Sequence, residues 1–271
     1  MRLNPIIRFL YIMMLGIALI NCATTQNTQR SNTNGKSVEY ILMGNGSPTL
    51  VFETGMGPSI STWDKILDSL SKHTRIYAYN RPGYGNSNVK KPPRNIVEAA
   101  QQLHANLVNE DIRPPYILVG HSLGGLLVNM FARLYPRETI GVIFIDASHP
   151  EQFEYFKADQ KFLHTMLVTS TRKGGRSYEY DLISSASEDF QSVPQFPKIP
   201  VSVLTAGKSS PLENKKLRTK WLEFQKDLVK LGQNNVHRII ENSGHYIHRD
   251  NPTETIAEIL IILDLAKKTD E

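Results

Sequence analysis

Tyr116-Ile117-Leu118-Val119-Gly120-His121-Ser122-Leu123-Gly124-Gly125 is the stretch whose reading decides the fold of this chain. Four apolar or aromatic residues run into Gly-x-Ser-x-Gly, and a helix-like sequence from Leu126 to Tyr135 follows. The pattern is strand, sharp turn, helix, with one serine at the apex. Gly120 and Gly124 give the backbone room to fold back, so Ser122 can hold a strained conformation with its hydroxyl exposed. A hydroxyl is a poor nucleophile at neutral pH, so such a serine is useful only beside a base and a set of donors for an anion.

Outward from this turn, strands and helices alternate. Thr49-Leu50-Val51-Phe52-Glu53 reads as a short strand, followed by the glycine-rich loop Thr54-Gly55-Met56-Gly57 and a helix from Ser59 to Leu70. Arg75 to Tyr79 is a further strand, and a helix from about Arg94 to Asn109 leads back to Tyr116. Gly141-Val142-Ile143-Phe144-Ile145 is apolar on both faces, as a parallel strand covered on each side by helices must be. After Ile145 the alternation breaks over residues 151 to about 195, which are rich in aromatics, and this insertion predicts a small helical cap. The alternation resumes with a strand over Ile199 to Gly207, a helix from Asn214 to Leu231, a strand near Val236 to Ile240 and a last helix from about Pro252 to Lys267. Val38 to Met43 runs into Gly44-Asn45-Gly46, which predicts a hairpin turn. The expected class is α/β, a mostly parallel open sheet flanked by helices.

Gly-His-Ser-Leu-Gly-Gly at 120–125 resembles the nucleophile elbow of the α/β-hydrolase fold serine hydrolases, and Asn80-Arg81-Pro82-Gly83-Tyr84-Gly85-Asn86-Ser87 resembles their Asp-Arg-Pro-Gly-x-Gly-x-Ser signature. The resemblance implies that fold over about residues 38 to 271. In this family the loop after the Thr49–Glu53 strand usually begins with His and supplies half of the oxyanion hole. Here Thr54 stands in place of the His, and the implied donors are the backbone N–H groups of Met56 and Leu123. The arginine motif is implied only to shape its loop. Triad order on this fold points to His245, in Asn242-Ser243-Gly244-His245-Tyr246, as the base, with His248 second to it; His121 is expected to pack. For the acid, the loop Ala206 to Glu213 holds no aspartate, which leaves Glu213 there and Asp146 at the end of the preceding strand. Asp146-Ala147-Ser148-His149-Pro150 resembles a subgroup that carries its carboxylate at that place, so Asp146 is preferred and Glu213 stays the alternative.

Composition is that of a globular chain, with 271 residues, 40% hydrophobic and 21% charged. The net charge of +5 is scattered in short clusters with no basic stripe carrying interleaved aromatics, which argues against a nucleic-acid partner. Residues 1–22 combine Arg2 and Arg8, an apolar run from Phe9 to Ile20, and the chain's one cysteine, Cys22. A basic start and a short hydrophobic centre form an export signal. A cysteine at its end resembles the lipobox of a bacterial lipoprotein precursor, although Asn21 replaces the usual small residue. That resemblance implies lipidation at Cys22, anchoring to a membrane, and a protein on the periplasmic or surface side; soluble export is the alternative. Residues 23–37, rich in Thr, Asn, Gln and Ser, read as a flexible polar tether.

The expected activity is hydrolysis of a carboxylic ester through an acyl-enzyme on Ser122, with no metal or cofactor and a small-molecule ester as substrate. The alternatives are a prolyl-type aminopeptidase or other amide or thioester hydrolase, with cap carboxylates such as Glu151 and Glu154 for a substrate ammonium, and, from another class, a catalytically inactive receptor or scaffold. The oligomeric state is not legible.

Overall fold

The computed structural model describes residues 28–33, 36–89, 91–171 and 177–269. The expected export signal and Cys22 lie outside them. Strands β1 (Gln29–Thr33), β2 (Lys36–Met43), β3 (Thr49–Glu53), β4 (Ile76–Tyr79), β5 (Asn88–Val89), β6 (Tyr116–His121), β7 (Thr139–Ile145), β8 (Pro200–Ala206) and β9 (Gln233–Ile240) form one sheet. Its order is β1-β2-β4-β3-β6-β7-β8-β9, with β5 on β2. From β4 onward along this order the neighbours are parallel, and β1, β2 and β5 are the antiparallel edge.

The side-chain period of two decides which residues go to which face. In β6, Tyr116 and Leu118 enter one core while Ile117 and Val119 enter the other, and in β7 Val142 and Phe144 are divided from Ile143 and Ile145 in the same way. The first face is covered by α2 (Ile96–Asn109) and α3 (Leu123–Leu134), which contribute Leu103, Leu107, Leu127 and Phe131. The second is covered by α1 (Asp64–Leu70) and the last long helix (Pro252–Thr269), through Ile66, Leu67, Ile259 and Ile262. Helix α2 starts where Asn95 accepts from the Glu98 N–H, capping an amide that the helix itself leaves unpaired.

The insertion after β7 is helical: α4 (Gln152–Asp159), α5 (Lys161–Thr171), α6 (Tyr178–Ser184) and α7 (Ala186–Gln191). Helix α8 (Lys215–Val229) follows β8, and the single turn α9 (Ile247–Asp250) precedes α10 (Pro252–Thr269).

Two expectations need correction. Gly44-Asn45-Gly46 does not close a hairpin, because β4 lies between β2 and β3. Gly44 and Gly46 do take positive φ, of 67° and 99°, so the turn chemistry is real. A local turn signal cannot reveal that the next strand pairs elsewhere. The polar segment read as a tether also contains β1, paired antiparallel with β2 from Gln29↔Tyr40 to Thr33↔Lys36. An edge strand needs no buried side chains; its ladder satisfies the backbone, and residues such as Gln29 and Arg30 stay exposed.

Candidate active site

Strand β6 delivers Ser122 to the carboxyl end of the sheet, between β3 and β7. Ser122 has φ 52° and ψ −121°, a region that side-chain-bearing residues rarely occupy. The packing around it leaves no alternative. A Cβ on Gly124 would lie 2.3 Å from the Glu53 carbonyl oxygen, and one on Gly120 would lie 2.5 Å from Val128. The Ser122 carbonyl accepts from the N–H groups of Gly125 and Ser148, at 2.8 and 3.0 Å, which fastens the turn on both sides. The serine itself is partly exposed.

Asp146 follows β7 and is also held at positive φ, 41°. Its carboxylate is buried, and every contact orients it. Oδ1 accepts from the Ala206 N–H at 3.0 Å and from the Trp221 indole N–H at 2.9 Å. Oδ2 is 2.7 Å from His245 Nδ1. The His245 side chain is 43% exposed. Glu213 is engaged elsewhere: it accepts from the Ser210 N–H at 3.2 Å and faces Arg218 at 3.9 Å. His248, second to His245 in the sequence reading, is fully buried with Nε2 on the Thr62 hydroxyl.

The loop at 54–57 presses on the elbow. A Cβ on Gly55 would sit 2.8 Å from His121 Nδ1 and 3.1 Å from the Ser122 Cβ, so a side chain there would push the loop off the elbow. Met56 follows, half-buried, and Leu123 opens α3, where its N–H has no carbonyl a turn earlier in the helix. The loop is tied from beneath by Arg81, whose guanidinium donates to the carbonyls of Thr54 (2.6 Å) and Gly55 (2.7 Å) and to Glu53 Oε2 (2.9 Å). Arg81 also meets Glu179 of α6, at 2.6 Å. Burial pushes the Glu53 carboxyl up, against the pull of Arg81 and of the Tyr79 hydroxyl that donates to it. Deleting the guanidinium outright would strand two buried carboxylates, at a cost of about 3–5 kcal/mol.

A family model described as "Alpha/beta hydrolase family" matches residues 50–259. The chain belongs to that family. Among curated proteins this α/β hydrolase is 24% identical over 213 residues to the uncharacterised protein YqjL of Bacillus subtilis, covering 77% of this chain and 81% of YqjL. It is 29% identical over 109 residues to a pimeloyl-[acyl-carrier protein] methyl ester esterase of Wigglesworthia glossinidia brevipalpis, 40% of each chain. Among solved structures it is similar in fold to a bacterial membrane phospholipase A, at TM-score 0.63 and 16% identity, over 97% of this chain and 95% of the other.

The arginine motif departs from the family signature at Asn80, and the structure gives the reason. Asn80 Nδ2 donates to Glu39 Oε2 at 2.7 Å while its Oδ1 accepts from the Ile60 N–H. An aspartate there would oppose a buried carboxylate. Burial alone would raise the Glu39 carboxyl, but hydrogen bonds from Asn86 and Asn80 carry it below its ordinary value.

His121 packs as expected, meeting Trp63 edge-on at 6.4 Å. It also does something the sequence did not suggest. Its Nε2 is 2.8 Å from the His245 carbonyl, so that nitrogen carries the proton and the ring holds the His245 loop. Glu53 and Glu179 went unassigned in the sequence reading, and the motif that holds Arg81 and Tyr84 was implied only to shape its loop. A carboxylate ending the apolar strand Thr49–Glu53 was the available signal, since a buried charge needs a partner. Among the described residues, no group of three or more His, Cys, Asp or Glu is disposed to hold a metal ion.

The buried histidines make stability depend on pH. Burial, reinforced by His245 and His248, keeps His121 well below the ordinary 6.5. Burial with Arg249 takes His248 to about 3, and burial takes His149 to about 4. These native values lie below the unfolded one, so between pH 6.5 and about 4 the unfolded chain binds protons that the native chain refuses. Stability should fall as the pH falls through this window, by up to about 1.4 kcal/mol per pH unit for each group. Urea midpoints at pH 7.5, 6 and 5 check this; a midpoint that rises on acidification would refute it.

Proposed function

We propose that the protein is a serine hydrolase that cleaves carboxylic esters through an acyl-enzyme. His245 Nε2 takes the proton of Ser122 as Oγ attacks the ester carbonyl. The N–H groups of Met56 and Leu123 receive the oxyanion. Asp146 holds the imidazole with its proton on Nδ1 and stabilises the imidazolium that forms. The imidazolium then protonates the leaving alcohol, and water returns through His245 to release the acid and free Ser122. The observation that carries the reading is the 2.7 Å contact from a buried Asp146 to His245, at the end of the sheet where Ser122 is held at positive φ. A serine at the apex also suits acyl transfer, whereas epoxide opening on this fold calls for an aspartate there.

Esters are favoured over N-terminal amides because the cap carboxylates considered for an ammonium are exposed and paired elsewhere, Glu151 with Ser187 and Glu154 with Lys157. Rapid mixing with p-nitrophenyl butyrate is expected to give a burst of nitrophenol of about one equivalent, with proline p-nitroanilide turned over at least about 100-fold more slowly. Faster release from the anilide would favour the aminopeptidase. No turnover of either would favour a receptor or scaffold.

The basic start, apolar run and Cys22 support export and lipid anchoring. No helix among the described residues is long and apolar enough to cross a membrane. In a bacterial host, labelled palmitate is expected to enter the protein, and Cys22→Ser is expected to abolish labelling and release the protein from membranes. Unchanged membrane association of an unlabelled protein would contradict the anchor.

A further inference from the structure

We propose that Glu179 of the cap and Arg81 together aim the Met56 N–H into the oxyanion hole, so that the hole is complete only with α6 seated. The inference rests on the serine-hydrolase reading and adds a positioning role to two residues that do not touch the substrate. The argument starts from the peptide unit. The peptide joining Gly55 and Met56 is trans, because the cis bonds of the described chain are Ser47-Pro48 and Pro114-Pro115. In a trans peptide, C=O and N–H point in opposite directions. Holding the Gly55 oxygen therefore fixes where the Met56 N–H points.

Arg81 Nη2 holds that oxygen at 2.7 Å. It is a charged donor, so it also polarises the amide and strengthens the N–H at the other end. The far side of Met56 is held as well, since the Gly57 N–H donates to the Tyr84 hydroxyl at 2.7 Å. Both restraints end on one carboxylate. Glu179 Oε1 accepts from Arg81 Nη2 at 2.6 Å and Nε at 3.2 Å, and Glu179 Oε2 accepts from Tyr84 O–H at 2.7 Å. Arg81 and Glu179 are 2% and 1% exposed, so water cannot substitute for either partner. Without Glu179 the guanidinium keeps Nη1 on Glu53 and Thr54 and Nη2 on Gly55, but its Nε–Nη2 edge loses the carboxylate that holds Nη2 against the Gly55 oxygen. The peptide before Met56 would then be free to tilt, and oxyanion stabilisation depends steeply on donor placement.

The test uses p-nitrophenyl acetate, a small ester that offers the cap little to grip, with a fluorophosphonate as a second probe that needs the same hole. Glu179→Ala, if folded by circular dichroism, is expected to lose about 10- to 100-fold in kcat with KM within about 3-fold, and its fluorophosphonate labelling rate should fall by a similar factor. Glu179→Gln, which keeps an acceptor for Arg81, is expected to recover to within about 5-fold of the native rate. Tyr84→Phe frees only the Gly57 side and should lose several-fold in kcat, which keeps the proposal testable if Glu179→Ala does not fold. Native kcat in both folded variants, a loss confined to KM, or a Glu179→Gln no better than alanine would overturn the proposal. A wild type that neither turns over nor labels would count instead against the serine-hydrolase reading.

Discussion

Ser122→Ala is expected to lower kcat/KM for p-nitrophenyl butyrate by about 10⁴-fold or more, with the fold intact. Alanine keeps the Cβ that Gly55 packs against and keeps the φ of 52°, so the elbow has no reason to rearrange. On the proposed mechanism what goes is the nucleophile, and only the slow attack of water helped by the proposed N–H donors remains. Ser122→Gly separates strain from chemistry. It should be as inactive as the alanine variant yet more stable by about 1 kcal/mol or more, because glycine adopts positive φ without a steric cost. Thermal melts of the two variants side by side read that difference.

Asp146→Asn is the second large effect, and the hydrogen bonds around the carboxylate predict its direction. Oδ1 accepts from two fixed N–H donors, Ala206 and Trp221. An asparagine must place its oxygen there, which turns its NH₂ towards His245 Nδ1. The ring would then accept at Nδ1 and carry its proton on Nε2, the atom that has to be bare to act as a base. A loss of about 10³–10⁴-fold in kcat is expected, with KM little changed. Glu213→Gln should stay within about 2-fold of the native rate, because Glu213 is spent on Ser210 and Arg218. A reversed pattern, with Glu213→Gln crippled and Asp146→Asn active, would reassign the acid.

The parts of the molecule legible in the sequence are those encoded over a few residues. The Gly-x-Ser-x-Gly turn announces itself because each glycine sits where a side chain would strike backbone or packed neighbours. The inner strands are equally plain, since residues alternate between two cores and leave apolar runs. The choice between Asp146 and Glu213 was open because it depends on Trp221 and Ala206, distant positions that only the fold brings to one carboxylate. Strand partnership was misjudged at Gly44–Gly46 for the same reason: the turn is local, but the insertion of β4 between β2 and β3 is not. Arg81 and Glu179 lie 98 residues apart, and nothing periodic in the cap marks Glu179 as the residue that turns inward. The sequence carried the parts of the site, and long-range packing decided how they are joined.

The most direct test of the account is a mass map of the protein after reaction with a fluorophosphonate. One adduct per chain is expected, on the peptide that contains Ser122, with the label lost in Ser122→Ala and strongly slowed in His245→Ala. An adduct on a different residue, or a folded native protein that takes no label, would contradict the assignment of Ser122 as the nucleophile.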